Sequence, residues 1–180
     1  MVAPLSLFGA AFLLVVAATL VVTGVHHFIK PTVGERSLES VLGLQPTRAR
    51  LTNAIAGAVE LALGTGLLIA IARARFGSAI PLLALSAALL STYVGYLTLG
   101  VSFRSGATCG CGAVANQITG WTVVRAGLLA ALALLSMIWF DDLPSLAVLP
   151  ILPIGAALAV IVWWLPAAMS TPDSMEGRGW

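Results

Sequence analysis

The chain has 180 residues, of which 59% are hydrophobic and only 9% are charged. Soluble domains carry about a quarter charged residues, so this composition excludes an ordinary water-soluble globule. Intrinsic disorder is excluded because so apolar a chain has too much surface to leave in water. The net charge of +2 is spread thinly, without a run of Lys or Arg, which argues against nucleic-acid binding. We therefore predict an integral protein of the cell membrane, in contact with the lipid bilayer.

Five apolar stretches are each long enough to cross a bilayer, which takes about 20 residues in helical form. They are uninterrupted and lack the alternating pattern of barrel strands, so we expect helices. No basic residue precedes the first stretch, and we interpret it as a retained span rather than a signal peptide. In chain order the stretches are Leu5–Ile29, Leu51–Ala72, the region within Phe76–Phe103, Trp121–Phe140 and the region within Leu143–Met169.

These stretches predict an all-α, polytopic membrane protein with three parts. Residues 1–140 form a four-helix transmembrane core with a cysteine-containing loop at 102–120, residues 141–169 form a fifth transmembrane helix, and residues 170–180 form a polar tail. The connection from Lys30 to Arg50 is long enough for a short amphipathic segment, which we expect on the membrane surface.

The distribution of positive charge favours one orientation of these spans. With five spans, the first loop, the cysteine loop and the tail lie on one side of the membrane, and the positive-inside rule places that side in the cytoplasm. This side carries six positive residues against Arg73 and Arg75 on the other; the six are Lys30, Arg36, Arg48, Arg50, Arg104 and Arg178.

The two cysteines of the chain, Cys109 and Cys111, are separated by one glycine in a loop just before the fourth span. The flanking glycines permit the tight turn that a disulfide between them needs. Strain in so small a ring makes the disulfide easier to reduce, which favours thiol–disulfide exchange. Two alternatives stay open: soft thiolates also bind copper(I) or zinc, although zinc takes about four ligands, and both residues could be inert. We favour a redox pair and predict no metal site.

Two charged residues lie inside predicted spans. Glu60 is at mid-span, where a carboxylate is a functional candidate by default, and Gly57 and Gly64 on the same face would let another helix approach it. We expect Glu60 to face protein. Its role is either to hold the bundle together, which we slightly favour, or to take part in proton transfer or in contact with a quinone. Arg125 lies one turn inside the fourth span; it could pair with Glu60, but we expect it to extend to the interface.

His26 and His27 end the first span and are the only histidines. Adjacent residues on a helix point about 100° apart, so the two side chains cannot coordinate one metal ion together on a straight helix. Because there is no third histidine on another span, haem bound by two histidines of different spans is excluded. We expect interfacial histidines with ordinary hydrogen bonds, and no cofactor.

The order of these motifs resembles the MauE branch of the DoxX-like membrane proteins, a family associated with methylamine utilisation. The resemblance covers roughly Leu13 to Met137, and leaves the fifth span and the tail outside it. The chain departs from the family's pattern at Gly112 and at Ala126, where members often carry Phe and Asn. The matching positions are Gly24 with Lys30, Glu60 and Leu61 with Gly64, Cys109 with Cys111, and Arg125.

The resemblance implies a four-helix core and a role in disulfide formation or electron transfer to a thioredoxin-like partner outside the cytoplasm. Cys109 and Cys111 would then be the redox pair, with Arg125 and Glu60 in support. The resemblance therefore places the cysteine loop outside the cytoplasm, whereas the count of positive charges places it inside. A quinone is a conceivable electron acceptor, but the sequence offers no identifiable quinone site. The alternative is a non-catalytic accessory subunit that scaffolds a larger membrane complex. This alternative stays open because the residues after Cys111 differ from those of the family.

Overall fold

The computed structural model of the chain describes residues 4–73, 79–103, 120–138 and 151–168. Throughout these ranges the secondary structure is helical, and no strand occurs in them. The six helices are α1 (Pro4–Ile29), α2 (Pro31–Leu42), α3 (Pro46–Ala72), α4 (Ala79–Phe103), α5 (Gly120–Ile138) and α6 (Ile151–Ala168).

Proline and glycine set the boundaries around α2. Pro31 and Pro46 occupy the first turns of α2 and α3, where the missing N–H would have no helical partner in any case. Gly43 ends α2 in the left-handed conformation, with φ 66°, and its N–H donates to the carbonyl oxygen of Glu39. These signals divide the first connection into a separate short helix between two long ones.

Among the residues that the structure describes, four helices are long and apolar enough to cross a membrane, as predicted for the core. The spans are Phe8–Ile29, Pro46–Ala72, Ala79–Ser102 and Gly120–Ile138. α6 is helical, as predicted for its region, but it is not among these four. The cysteine loop and the polar tail lie outside the described residues.

α1 is the central helix of the bundle. It packs most extensively against α3 and also contacts α5 and α6, while α4 packs chiefly against α5. Glycines bring α1 and α3 together: a Cβ added to Gly24 would lie 2.9 Å from the carbonyl oxygen of Gly57, and one added to Gly64 would lie 2.8 Å from the backbone nitrogen of Val21. Backbone-to-backbone approach of this kind is how small residues pack membrane helices.

The bundle has an apolar half and a polar half. The pairs Gly24–Gly57 and Val21–Gly64 show that α1 and α3 are antiparallel, so the end of α1 lies beside the start of α3. The apolar half is filled by aliphatic side chains, including Leu13, Val16, Leu67, Leu83 and Ala133. The polar half is at the end of the bundle where α1 and α4 finish and where α3 and α5 begin.

The short amphipathic segment expected in the first connection is the helix α2, and its position on the membrane surface stays a prediction. It packs against α3 and touches α4. Gly34 and Ser37 are buried, and a Cβ at Gly34 would overlap the side-chain oxygen of Asn53. The absence of a side chain at Gly34 therefore lets α2 close over the polar half of the bundle.

Candidate functional site

Buried polar side chains from three transmembrane helices meet in the polar half of the bundle. Glu60 and Asn53 on α3 are 1% and 2% exposed, and Arg125 on α5 is 6% exposed. Burying so many polar groups in an apolar bundle is costly unless they satisfy one another, so the cluster is a specific feature of the fold. Its other buried members are Thr19, Thr23 and His27 on α1 and Thr122 on α5.

His27 and Asn53 hold one another through two contacts. The Nδ1 atom of His27 lies 2.7 Å from Oδ1 of Asn53, and Nδ2 of Asn53 donates to the backbone carbonyl oxygen of His27 at 3.3 Å. The second contact fixes the orientation of the amide, so the first must be a hydrogen bond donated by Nδ1–H to a carbonyl oxygen, which can only accept. The other ring nitrogen of His27 is Nε2.

This Nε2 atom faces Glu60 at 3.7 Å from Oε2. Because Nδ1 already carries a hydrogen, His27 is neutral when Nε2 is bare and cationic when Nε2 is protonated. A protonated carboxyl beside a neutral imidazole and a carboxylate beside an imidazolium both leave the pair neutral with one proton between the two atoms. An isolated charge at this depth is expensive, so each side chain is stabilised by the polar partner beside it.

Glu60 also faces a cavity of about 50 Å³ between α1, α3, α4 and α5. Arg125 and Thr122 line this cavity from α5, and Tyr93 and Tyr96 line it from α4. We call it the inner cavity. Arg125 lies inside the bundle rather than extending to the interface, so the expected extension is wrong. The physical reason is that Arg125 lies on the buried face of α5, where Glu60 and Thr122 line the same cavity, so its side chain has polar neighbours without leaving the protein.

A second cavity, of about 180 Å³, lies between α2, α3 and α4. We call it the cleft. His27 and Asn53 line the cleft from α1 and α3. Ser37 lines it from α2, and its Oγ lies 2.6 Å from the hydroxyl oxygen of Tyr96. Tyr93 and Tyr96 line both cavities. The His27–Glu60 pair has one member on each cavity and so connects them.

The structure brings together only part of the predicted site. Glu60 is buried within the protein, and its helix neighbours Gly57 and Gly64 form the contact surface with α1, which confirms that Glu60 faces protein. Glu60 and Arg125 line one cavity. Cys109 and Cys111 lie outside the described residues, so their role stays a prediction. Among the described ranges, no group of three or more His, Cys, Asp or Glu side chains is arranged to hold a metal ion.

The sequence predicts the same environment for both histidines, whereas the structure gives them different hydrogen bonding. His27 has the ordinary hydrogen bond that was expected, whereas both ring nitrogens of His26 are buried without a hydrogen bond to any described residue. Sequence reasoning also missed Asn53, although a signal was available. Asn53 lies seven residues before Glu60, with Gly57 between them, and this spacing places all three on one buried face of α3.

Comparison with known protein families gives one match. The sequence model of the family "Methylamine utilisation protein MauE" matches residues 5–140, which include every helix that lines the two cavities. Comparison with curated proteins and with solved structures gives no match. The family match covers about three quarters of the chain and agrees with the order of motifs in the sequence. The chain therefore belongs to the MauE family, and its four apolar helices make it a multi-pass integral membrane protein.

Proposed function

We propose that this protein is a membrane thiol–disulfide redox protein that serves methylamine utilisation, as the description of its family indicates. Cys109 and Cys111 form the redox pair, and the partner is a thioredoxin-like protein outside the cytoplasm. A thiolate of the partner attacks the Cys109–Cys111 disulfide, which gives a mixed disulfide; the second partner thiolate then resolves it. The partner leaves oxidised, and Cys109 and Cys111 are left as thiols.

One observation supports this proposal above the others: Arg125, a lining residue of the inner cavity, is near the start of α5, the helix that follows the cysteine loop in the chain. The loop leaves α4 after Phe103 and enters α5 at Gly120. Arg125, which lines the cavity, is five residues into α5, or about 7.5 Å along the helix axis. The cation of Arg125 and the positive end of the α5 dipole therefore belong to the helix that follows the cysteines in the chain, and positive charge near a thiol favours thiolate over thiol.

The test uses the full chain in lipid nanodiscs with a purified, reduced thioredoxin-like protein as the probe. The variants are Cys109→Ser, Cys111→Ser and the double variant. We expect each single variant to slow oxidation of the probe by at least a hundredfold, because one cysteine alone offers no Cys109–Cys111 disulfide for the probe's thiolate to attack. A probe that lacks its second, resolving cysteine should form a covalent complex with the oxidised wild type, seen as a band sensitive to reductant, because its one thiolate attacks the Cys109–Cys111 disulfide and the probe has no second thiolate to release it.

The matched control is Ser91→Ala, an exposed residue on α4 that lines neither cavity. It should oxidise the probe at the wild-type rate, and all variants should keep the wild-type thermal midpoint. Wild-type protein that fails to oxidise the probe, with its thiols unreactive toward it, would overturn the redox function in favour of the accessory-subunit alternative.

We further propose that α6 is a fifth transmembrane helix. It has 18 residues, about 27 Å of helix, close to the thickness of the hydrocarbon layer. It also packs along α1, where Gly155 lies against the side chain of Leu14.

Five spans predict that the tail and the cysteine loop share one side of the membrane. A Ser174→Cys reporter in the Cys109→Ser/Cys111→Ser background should therefore react with an impermeant maleimide from the same side as the native loop cysteines. Labelling from the opposite side would show that α6 does not cross. Labelling of the loop from outside intact cells would favour the orientation implied by the family over that from the charge count.

A further inference from the structure

We propose that the cleft between α2, α3 and α4 binds one acyl chain of an anionic phospholipid, whose phosphate lies at Arg48 near the start of α3. This lipid site goes beyond the redox function proposed above and does not rest on it. It needs neither the cysteines nor the inner cavity, and it is argued from residues that the structure describes.

The polar side chains that line the cleft hydrogen-bond within the protein itself. The hydroxyl groups of Ser37 and Tyr96 pair with one another at 2.6 Å. His27 and Asn53 do so at 2.7 Å, and the hydroxyl of Thr92 donates to the carbonyl oxygen four residues earlier. The surface left to a ligand is almost wholly apolar, and the described lining residues include no Lys, Arg, Asp or Glu. The cleft therefore suits a hydrocarbon rather than a group with polar oxygens.

The cleft also has the size and the access that an acyl chain requires. An apolar cavity of about 150 Å³ is enough to bind the six carbons of benzene, and the cleft has about 180 Å³, room for a similar length of chain. Leu42, Thr52 and Thr92 line the cleft and are exposed, the last two on membrane-spanning helices. Chains of the bilayer can therefore enter, and entry is favoured because the walls contact the chain on several sides.

A basic residue lies where the phosphate of such a lipid belongs. Arg48 is exposed and precedes the lining residues Thr52 and Ala56 at intervals of four residues, so the three share one face of α3. Arg48 is about 6 Å nearer the start of the helix than Thr52. The connection at 30–50 has four basic and two acidic residues, so its net charge is positive. An apolar cleft beside a basic rim is complementary to an anionic phospholipid.

The first test concerns the head group. The full chain in detergent micelles is titrated with phosphatidylglycerol and separately with phosphatidylcholine, and bound lipid is measured by native mass spectrometry. The wild type should prefer phosphatidylglycerol by about fivefold, the effect of one basic residue on an anionic lipid. Arg48→Gln should lose this preference. Arg50→Gln is the matched control and should keep it, because it removes the same charge from an exposed residue about 200° around the helix.

The second test concerns the acyl chain. Thr92→Trp should fill the cleft and weaken binding of both lipids at least tenfold. Thr98→Trp is the matched control: Thr98 is exposed on the same helix, its hydroxyl also donates to the carbonyl four residues earlier, and it lines neither cavity. This variant should bind both lipids within twofold of the wild type, and both variants should keep the wild-type thermal midpoint.

A third measurement uses only the wild type, so it does not depend on the folding of any variant. Phosphatidylglycerol with a photoreactive diazirine in the middle of one acyl chain should label chiefly the segments of α2, α3 and α4 that line the cleft. Equal affinity for the two lipids, equal binding by Thr92→Trp and Thr98→Trp, or labelling spread evenly over the outer faces of the helices would each overturn the lipid site. None of these outcomes would alter the test of thiol exchange by Cys109 and Cys111.

Discussion

Replacing Glu60 with leucine is expected to lower the free energy of unfolding of the bundle by about 3–5 kcal/mol, the usual cost of removing one partner from a buried pair. The side chain is 1% exposed and faces Nε2 of His27 at 3.7 Å. Leucine would leave that nitrogen buried without its acidic partner, and it would remove the carboxyl group from the cavity that Arg125 lines. Reversible denaturation in detergent micelles, titrated with sodium dodecyl sulfate, measures the change.

Glu60→Gln is the matched variant, because the amide keeps the shape of the carboxyl group and can donate a hydrogen bond to Nε2. We expect it to recover more than half of the lost stability while failing to pass a proton to His27. A His27→Leu/Glu60→Leu double variant completes the cycle, and its cost should be at least 1 kcal/mol smaller than the sum of the two single costs. Strict additivity would show that the two side chains do not interact.

A leucine at Gly64 is expected to cost about 3 kcal/mol or more, at the upper end of overpacking effects, because the atoms that it meets cannot move aside easily. A Cβ at this position would already lie 2.8 Å from the backbone nitrogen of Val21 and 2.9 Å from the carbonyl oxygen of Ala17. These are backbone atoms of the central helix, so α1 and α3 must separate to make room. Thermal unfolding in nanodiscs should show a lower midpoint.

Gly95→Leu provides the comparison, since nothing lies within 4 Å of a Cβ added at this exposed position on α4. Leucine has the higher helix propensity, so this variant should be as stable as the wild type or slightly more stable. If Gly64→Leu matched Gly95→Leu, the close approach of α1 and α3 would not be a source of stability.

The sequence by itself determined that this is a helical membrane protein, and it located most of the helices closely. The apolar run predicted as Leu5–Ile29 is α1, Pro4–Ile29, and the run predicted as Trp121–Phe140 is α5, Gly120–Ile138. The reason is local: a span in hydrocarbon must satisfy its own backbone hydrogen bonds and show apolar side chains over its whole length, so composition alone reveals it. Glu60 was recognisable for the same reason, because a carboxyl group stands out in such a run.

Only the tertiary structure decided which residues Glu60 meets. His27 and Tyr96 are far from Glu60 in the chain; His27 meets it because glycines let α1 and α3 approach, and Tyr96 lines the same cavity from α4. The helices are apolar on nearly all sides, so their periodicity does not show which face turns toward a neighbour. Inward and outward faces are set by packing between helices, and that information is distributed over the whole chain. The position of Arg125 inside the bundle and the two cavities that the His27–Glu60 pair connects therefore emerged only with the fold.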